Sequence, residues 1–131
     1  MKKLFLVFLL ILSISVNAQL TDDFSDGDFT SNPSWTGDAA HFKVNTTYEL
    51  QLNSSGDNTS ILATACTMAD SMEWNIKVKL SFSPSDNNNA RIYLISNQPD
   101  LKSNLNGYYL KLGETGSNDA IELIKQAGNV H

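Results

Sequence analysis

The chain has one cysteine in 131 residues, Cys66, so no disulfide can form within it. Small exported domains often lean on disulfides; this one must rely on its hydrophobic core. Cys66 follows Ile61-Leu62-Ala63-Thr64-Ala65, a strand-like run, and is expected to be a small buried apolar residue rather than a reactive thiol. There are two histidines. His41 has no evident partner and His131 is the last residue, so neither a zinc site nor a Ser-His-Asp triad is supported. No glycine-rich phosphate loop occurs. No long apolar run follows the first eighteen residues, so nothing later reads as a membrane span. No segment carries a long amphipathic helical pattern, although Gln98-Pro99-Asp100-Leu101-Lys102 could form one helical turn.

What is present begins with a leader. Lys2 and Lys3 precede an apolar stretch from Leu4 to Leu12, which weakens through Ser13-Ile14-Ser15-Val16 and ends at Asn17-Ala18. A positive start, a short apolar middle and small residues at Val16 and Ala18 make a secretory signal peptide, cut after Ala18. Residues 1–18 are therefore the signal and 19–131 a single domain, secreted or held at the cell surface. A lipoprotein anchor is excluded because no cysteine lies near the cut.

Positive charge is scarce in what remains. Seven basic residues face fourteen acidic ones after the leader is removed, a net charge of −7. Nucleic acid and anionic membrane need a basic footprint, so the acidic balance argues against both as partners. Neutral glycans, divalent cations and extracellular proteins stay compatible.

The strongest pattern in the chain is alternation. From Glu73 to Ser83 every even position is apolar (Trp74, Ile76, Val78, Leu80, Phe82) and every odd position polar. That predicts a half-buried strand, with Trp74 in the core. Tyr48–Leu52 and Tyr108–Leu112 repeat the pattern, the latter placing Tyr108, Leu110 and Leu112 on the apolar face. Residues 90–95 and 120–125 are further strand candidates, although the second could also open a helix. Clusters of Asn, Gly, Asp and Ser at 53–58, 84–89, 104–107 and 113–119 read as turns. About eight short strands with turns between them predict an all-β antiparallel sandwich. That number is small for two full sheets, so the domain is expected to be truncated.

Three stretches resemble the start of a family of exported Bacteroidetes surface proteins. They are Asp23-Phe24-Ser25-Asp26-Gly27-Asp28-Phe29-Thr30 with Asn32-Pro33-Ser34-Trp35-Thr36-Gly37-Asp38; Trp74–Phe82 with Ala90-Arg91-Ile92-Tyr93-Leu94; and Leu105-Asn106-Gly107-Tyr108-Tyr109-Leu110-Lys111-Leu112-Gly113. These proteins open with a concanavalin A-like (laminin-G-like) jelly-roll module, often followed by lamin-tail-type domains. The resemblance covers nearly the whole chain after the leader, but only the first part of such a protein. It implies a jelly roll, here incomplete, and a non-catalytic binding or adhesion module. A structural N-terminal domain, or the non-catalytic half of a carbohydrate-active enzyme, are the alternatives.

Two candidate sites follow. Asp22, Asp23, Asp26 and Asp28 form the densest acidic cluster. Laminin-G-like folds often hold Ca²⁺, which takes several hard oxygen ligands, so Asp23, Asp26 and Asp28 are candidate metal ligands. The plain alternative is a turn capped by Asp and opened by Gly27, with Phe24 and Phe29 docked into the core. Trp35, Tyr93 and Tyr109 are candidate sugar-stacking rings, because Tyr93 and Tyr109 fall on the polar faces of their strands; packing is the alternative for each. The Glu-x-Asp-x-x-Glu triplet of glucanase-like enzymes in this superfold is missing, which argues against glycoside hydrolysis. Asn45, Asn53 and Asn58 head glycosylation sequons expected in surface loops, and Asp70-Ser71-Met72 resembles a short O-glycosylation signal of exported Bacteroidetes proteins.

Overall fold

The computed structural model describes residues 19–67, 71–114, 116 and 120–130. The expected leader, Asp70 of the O-glycosylation signal and His131 lie outside them. The described chain is all-β, with antiparallel pairing throughout. Among the described residues no helix is long and apolar enough to cross a membrane.

Two small ribbons come first. Strand β1 (Thr36–Gly37) is followed by a 3-10 turn at Ala39–His41 and by β2 (Phe42–Val44), β3 (Leu50–Leu52) and β4 (Leu62–Ala63). β1 pairs with β4, and β2 with β3 in the register Phe42↔Leu52 to Val44↔Leu50. Gly37 has a φ of 137°, and a Cβ there would run into the Ile61 carbonyl, so only glycine lets the β1–β4 backbones approach. Asp38 secures this crossing. Its backbone N–H donates to Ile61 O, its Oδ2 accepts from Ile61 N at 2.9 Å, and it forms a 2.7 Å ion pair with Lys102.

The remaining strands form one sheet in the order β5 (Ala90–Ser96), β6 (Leu105–Leu112) and β7 (Ile121–Gly128). Residues 121–125 are therefore strand, not helix, Ala120 lies just outside it, and residues 105–107 of the expected turn open β6. Gln98–Lys102 holds bends and a turn without helix. A register shift between Tyr93 and Ile95 gives β5 a bulge, after which Ile95 lies opposite Tyr108 and Ser96 opposite Gly107.

The pairing sorts the sheet into two unlike faces. One carries Ala90, Ile92, Ile95, Tyr108, Leu110, Leu112, Ile121 and Leu123, with Asn106, Lys125 and Ala127 toward one end. The other carries Arg91, Tyr93, Leu105, Gly107, Tyr109, Lys111, Glu122, Ile124 and Gln126. Burial favours the second. Leu105 and Tyr109 are each 1% exposed, whereas Tyr108 is 43%, Ile121 65% and Leu123 66% exposed.

The alternating segment 73–83 departs from expectation. Residues 72–83 join no strand ladder, and Trp74 is 39% exposed rather than core. Alternation fixes which side chains share a face; a strand also needs a partner for its backbone, and the described residues supply none. Val78, Leu80, Phe82 and Pro84 instead face Leu112, Gly113, Ala120 and Ile121 across an open groove of about 380 Å³. Cys66 is exposed too, because the strand around it stops at Ala63.

Candidate functional site

The acidic turn is held by its own carboxylates. Asp22 Oδ1 accepts the N–H of Phe24 at 2.9 Å, and Asp22 Oδ2 accepts the Trp35 indole N–H at 2.8 Å. Asp23 and Asp26 each accept the N–H two residues ahead, from Ser25 and Asp28. Asp28 Oδ1 takes N–H groups from Phe29 and Thr30 and the Thr30 hydroxyl, while Oδ2 takes the Ser31 hydroxyl. The Ser31 and Thr30 donors hold the Asp28 carboxyl far below the usual carboxylate range. Asp23 is lowered as well, chiefly by Ser25. These side chains close the turn that the plain alternative anticipated. Phe24 adopts a φ of 56° within it and packs beside Trp35, ring centroids 6.3 Å apart.

Thr21, Asp22, Asp23, Ser25, Asp26 and Asn32 line a shallow hollow of about 300 Å³ beside this turn. Of the three candidate metal ligands, Asp23 and Asp26 border the hollow, and Asp28 does not line it. No group of three or more His, Cys, Asp or Glu placed to hold a metal occurs among the described residues.

The candidate rings are separated. Trp35 belongs to the acidic turn, half-buried; Tyr93 and Tyr109 belong to the large sheet. Tyr93 and Tyr109 are register partners whose rings lie 4.8 Å apart at 33°. The Arg91 guanidinium sits 5.3 Å above the Tyr109 ring, a cation–π contact. Tyr109 is thus enclosed, which corrects its assignment to an open polar face; Tyr108 is the exposed one of the pair. The reversal has a physical cause: Arg91 and Tyr93 close over Tyr109 from β5, while Tyr108, Ile121 and Leu123 on the opposite face stay exposed.

Two residues here escaped sequence reasoning, Arg91 as a ring cap and Gln126 as a buried anchor. Gln126, 4% exposed, accepts the Tyr93 hydroxyl at Oε1 (2.7 Å) and donates from Nε2 to Gly128 O (2.9 Å). Burial raises the Tyr93 phenol above its ordinary value. At the far end Lys111, pushed up mainly by Asp86, also lies 3.9 Å from Glu122. His41 Nδ1 is 2.7 Å from Ser60 Oγ, an ordinary half-buried contact. Asn45 builds the β2–β3 turn, accepting from Thr47 and Glu49.

Compared with protein-family models, with curated proteins and with solved structures, the chain matches none.

Proposed function

We propose that the chain is a non-catalytic extracellular binding module, a sandwich of jelly-roll (concanavalin A-like) type, that works by surface contact with a protein. The supporting observation is the uneven finish of the large sheet. Its polar face is sealed by Arg91, Tyr93, Tyr109 and Gln126, while Ile121 and Leu123 on its apolar face are about two-thirds exposed. Large exposed apolar surface marks contact sites. Trp35, Tyr93 and Tyr109, the rings suited to sugar stacking, are engaged with their own chain. The test is binding of the full chain to extracellular matrix proteins, beside Leu123→Lys. Binding that Leu123→Lys abolishes is expected; binding indifferent to that change, or no binding, overturns the reading.

A second reading is glycan capture with a structural Ca²⁺, favoured by the oxygen-lined hollow beside Asp23 and Asp26. Here the readouts are a glycan array with and without calcium, and melting in calcium against chelator. A calcium-dependent glycan signal with a raised melting temperature supports it; no signal and no shift removes it.

A further inference from the structure

From Glu73 to Ser83 apolar and polar residues alternate, and among the described residues the backbone of this segment has no strand partner. Among the described residues, 72–83 belong to no ladder, and none of them shares a backbone–backbone hydrogen bond with another described residue. Val78, Leu80 and Phe82 already look toward Leu112 and Ile121 across the groove. What lies open is the edge: a row of N–H and C=O groups, the feature that templates a further strand. Two charges on it are also unmatched. Among the described residues neither Glu73 nor Lys79 has an ion-pair partner, whereas Lys77 lies 3.5 Å from Glu49.

We propose that this edge pairs with the same segment of a second copy, antiparallel, about a two-fold axis at Ile76. The charges select that register. Parallel in-register pairing would oppose Glu73 to Glu73 and both lysines to themselves. Antiparallel pairing centred on Lys77 opposes that lysine to itself, and pairing centred on Val78 sets Lys77 against Lys79 twice. Centred on Ile76, Glu73 lies opposite Lys79 at both ends, Asn75 opposite Lys77, and no like charges meet. The same register sets Trp74 against Val78 and Met72 against Leu80, so apolar stays with apolar. Centring on Asn75 also matches Glu73 with Lys77, but pairs only 71–79 of the described residues instead of 71–81 and leaves Lys79 opposite Ser71. A two-fold contact of this kind closes on itself, giving a dimer rather than a fibre. It uses the backbone edge of 71–81 and not Leu123, although Val78, Leu80 and Phe82 share a groove with Ile121 of that face, so the charge reversals test it separately from Leu123→Lys.

The experiment is sedimentation of the purified full chain with Glu73→Lys, Lys79→Glu and the double reversal. Expected is a dimer that each single reversal weakens by about tenfold or more, since attraction at two symmetric positions becomes repulsion. The double reversal restores it. Ile76→Cys in a Cys66→Ser background should form an intermolecular disulfide on mild oxidation, because residues opposed across antiparallel strands lie within disulfide reach. Circular dichroism establishes that each variant keeps its β structure, and the disulfide test does not depend on the charge variants. A monomer at all concentrations, a dimer indifferent to single reversal, or a double reversal no better than the singles overturns the proposal.

Discussion

Tyr93 and Gln126 stand on the two outer strands of the large sheet, and the tyrosine hydroxyl reaches the glutamine Oε1 at 2.7 Å across the middle strand. The residue level with Gln126 on that middle strand is Gly107, whose lack of a side chain leaves the crossing open. Tyr93→Phe removes the donor and leaves a buried carbonyl oxygen short of a partner, which costs about 1–3 kcal/mol. Gln126→Leu takes the acceptor from the Tyr93 hydroxyl and the Nε2 donor from Gly128 O, and costs a similar amount. The double variant should be less destabilised than the two singles summed, because each single loses the same Tyr93–Gln126 bond and the double loses it once. Urea denaturation of the four proteins measures this.

Gly107 has a second duty. A Cβ there would collide with the Ile95 carbonyl oxygen at the β5 bulge. Gly107→Ala should therefore cost about 1–3 kcal/mol through forced backbone displacement. Gln126, the acceptor of the Tyr93 hydroxyl, is the register partner of Gly107, so hydrogen exchange should show the amides of β5 and β7 losing protection together.

Acid should weaken the fold in part through Asp28. Its folded carboxyl stays ionised far below the ordinary value of 3.8, because Ser31 and Thr30 donate to it. The unfolded chain therefore takes up the proton first as pH falls below about 4. Stability present above that pH is lost on acidification. Asp28→Asn should be less stable than the parent at pH 6, with the gap closing toward pH 2, as melting temperatures across that range would reveal.

Cys66 should react as an open thiol. It is exposed, and among the described residues its one near polar contact is Thr67 O at 3.8 Å. Ellman's reagent should titrate one thiol in the native protein at a rate close to that in denaturant. Protection by a factor of ten or more would place the side chain inside the fold.

The sequence carried the all-β class and the strands of the large sheet well, because 90–96, 105–112 and 121–128 find partners nearby in the chain. Its pattern was least informative where it was most regular. Residues 73–83 alternate without exception, yet alternation names a face and says nothing about which backbone lies alongside. Tyr108 and Tyr109 show a related limit. Parity put Tyr108 with the apolar set, but burial went to Tyr109 because Arg91 and Tyr93 fold over it, a tertiary event with no local signature. The bulge at Tyr93/Ile95 also breaks strict parity, setting Ile92 and Ile95 on one face although they are three positions apart. Among the acids, the spacing that could have suggested cation ligands equally suits a turn in which carboxylates accept nearby N–H groups.

The uncovered face with Ile121 and Leu123 bears on how the stability of this protein should be measured. A protein partner or a further copy that covers those side chains in the folded chain, and does not bind the unfolded one, adds to its stability. The midpoint of unfolding then becomes a reading of concentration as much as of sequence. A melting temperature quoted for this chain is complete only with the concentration at which it was taken and the company the protein kept.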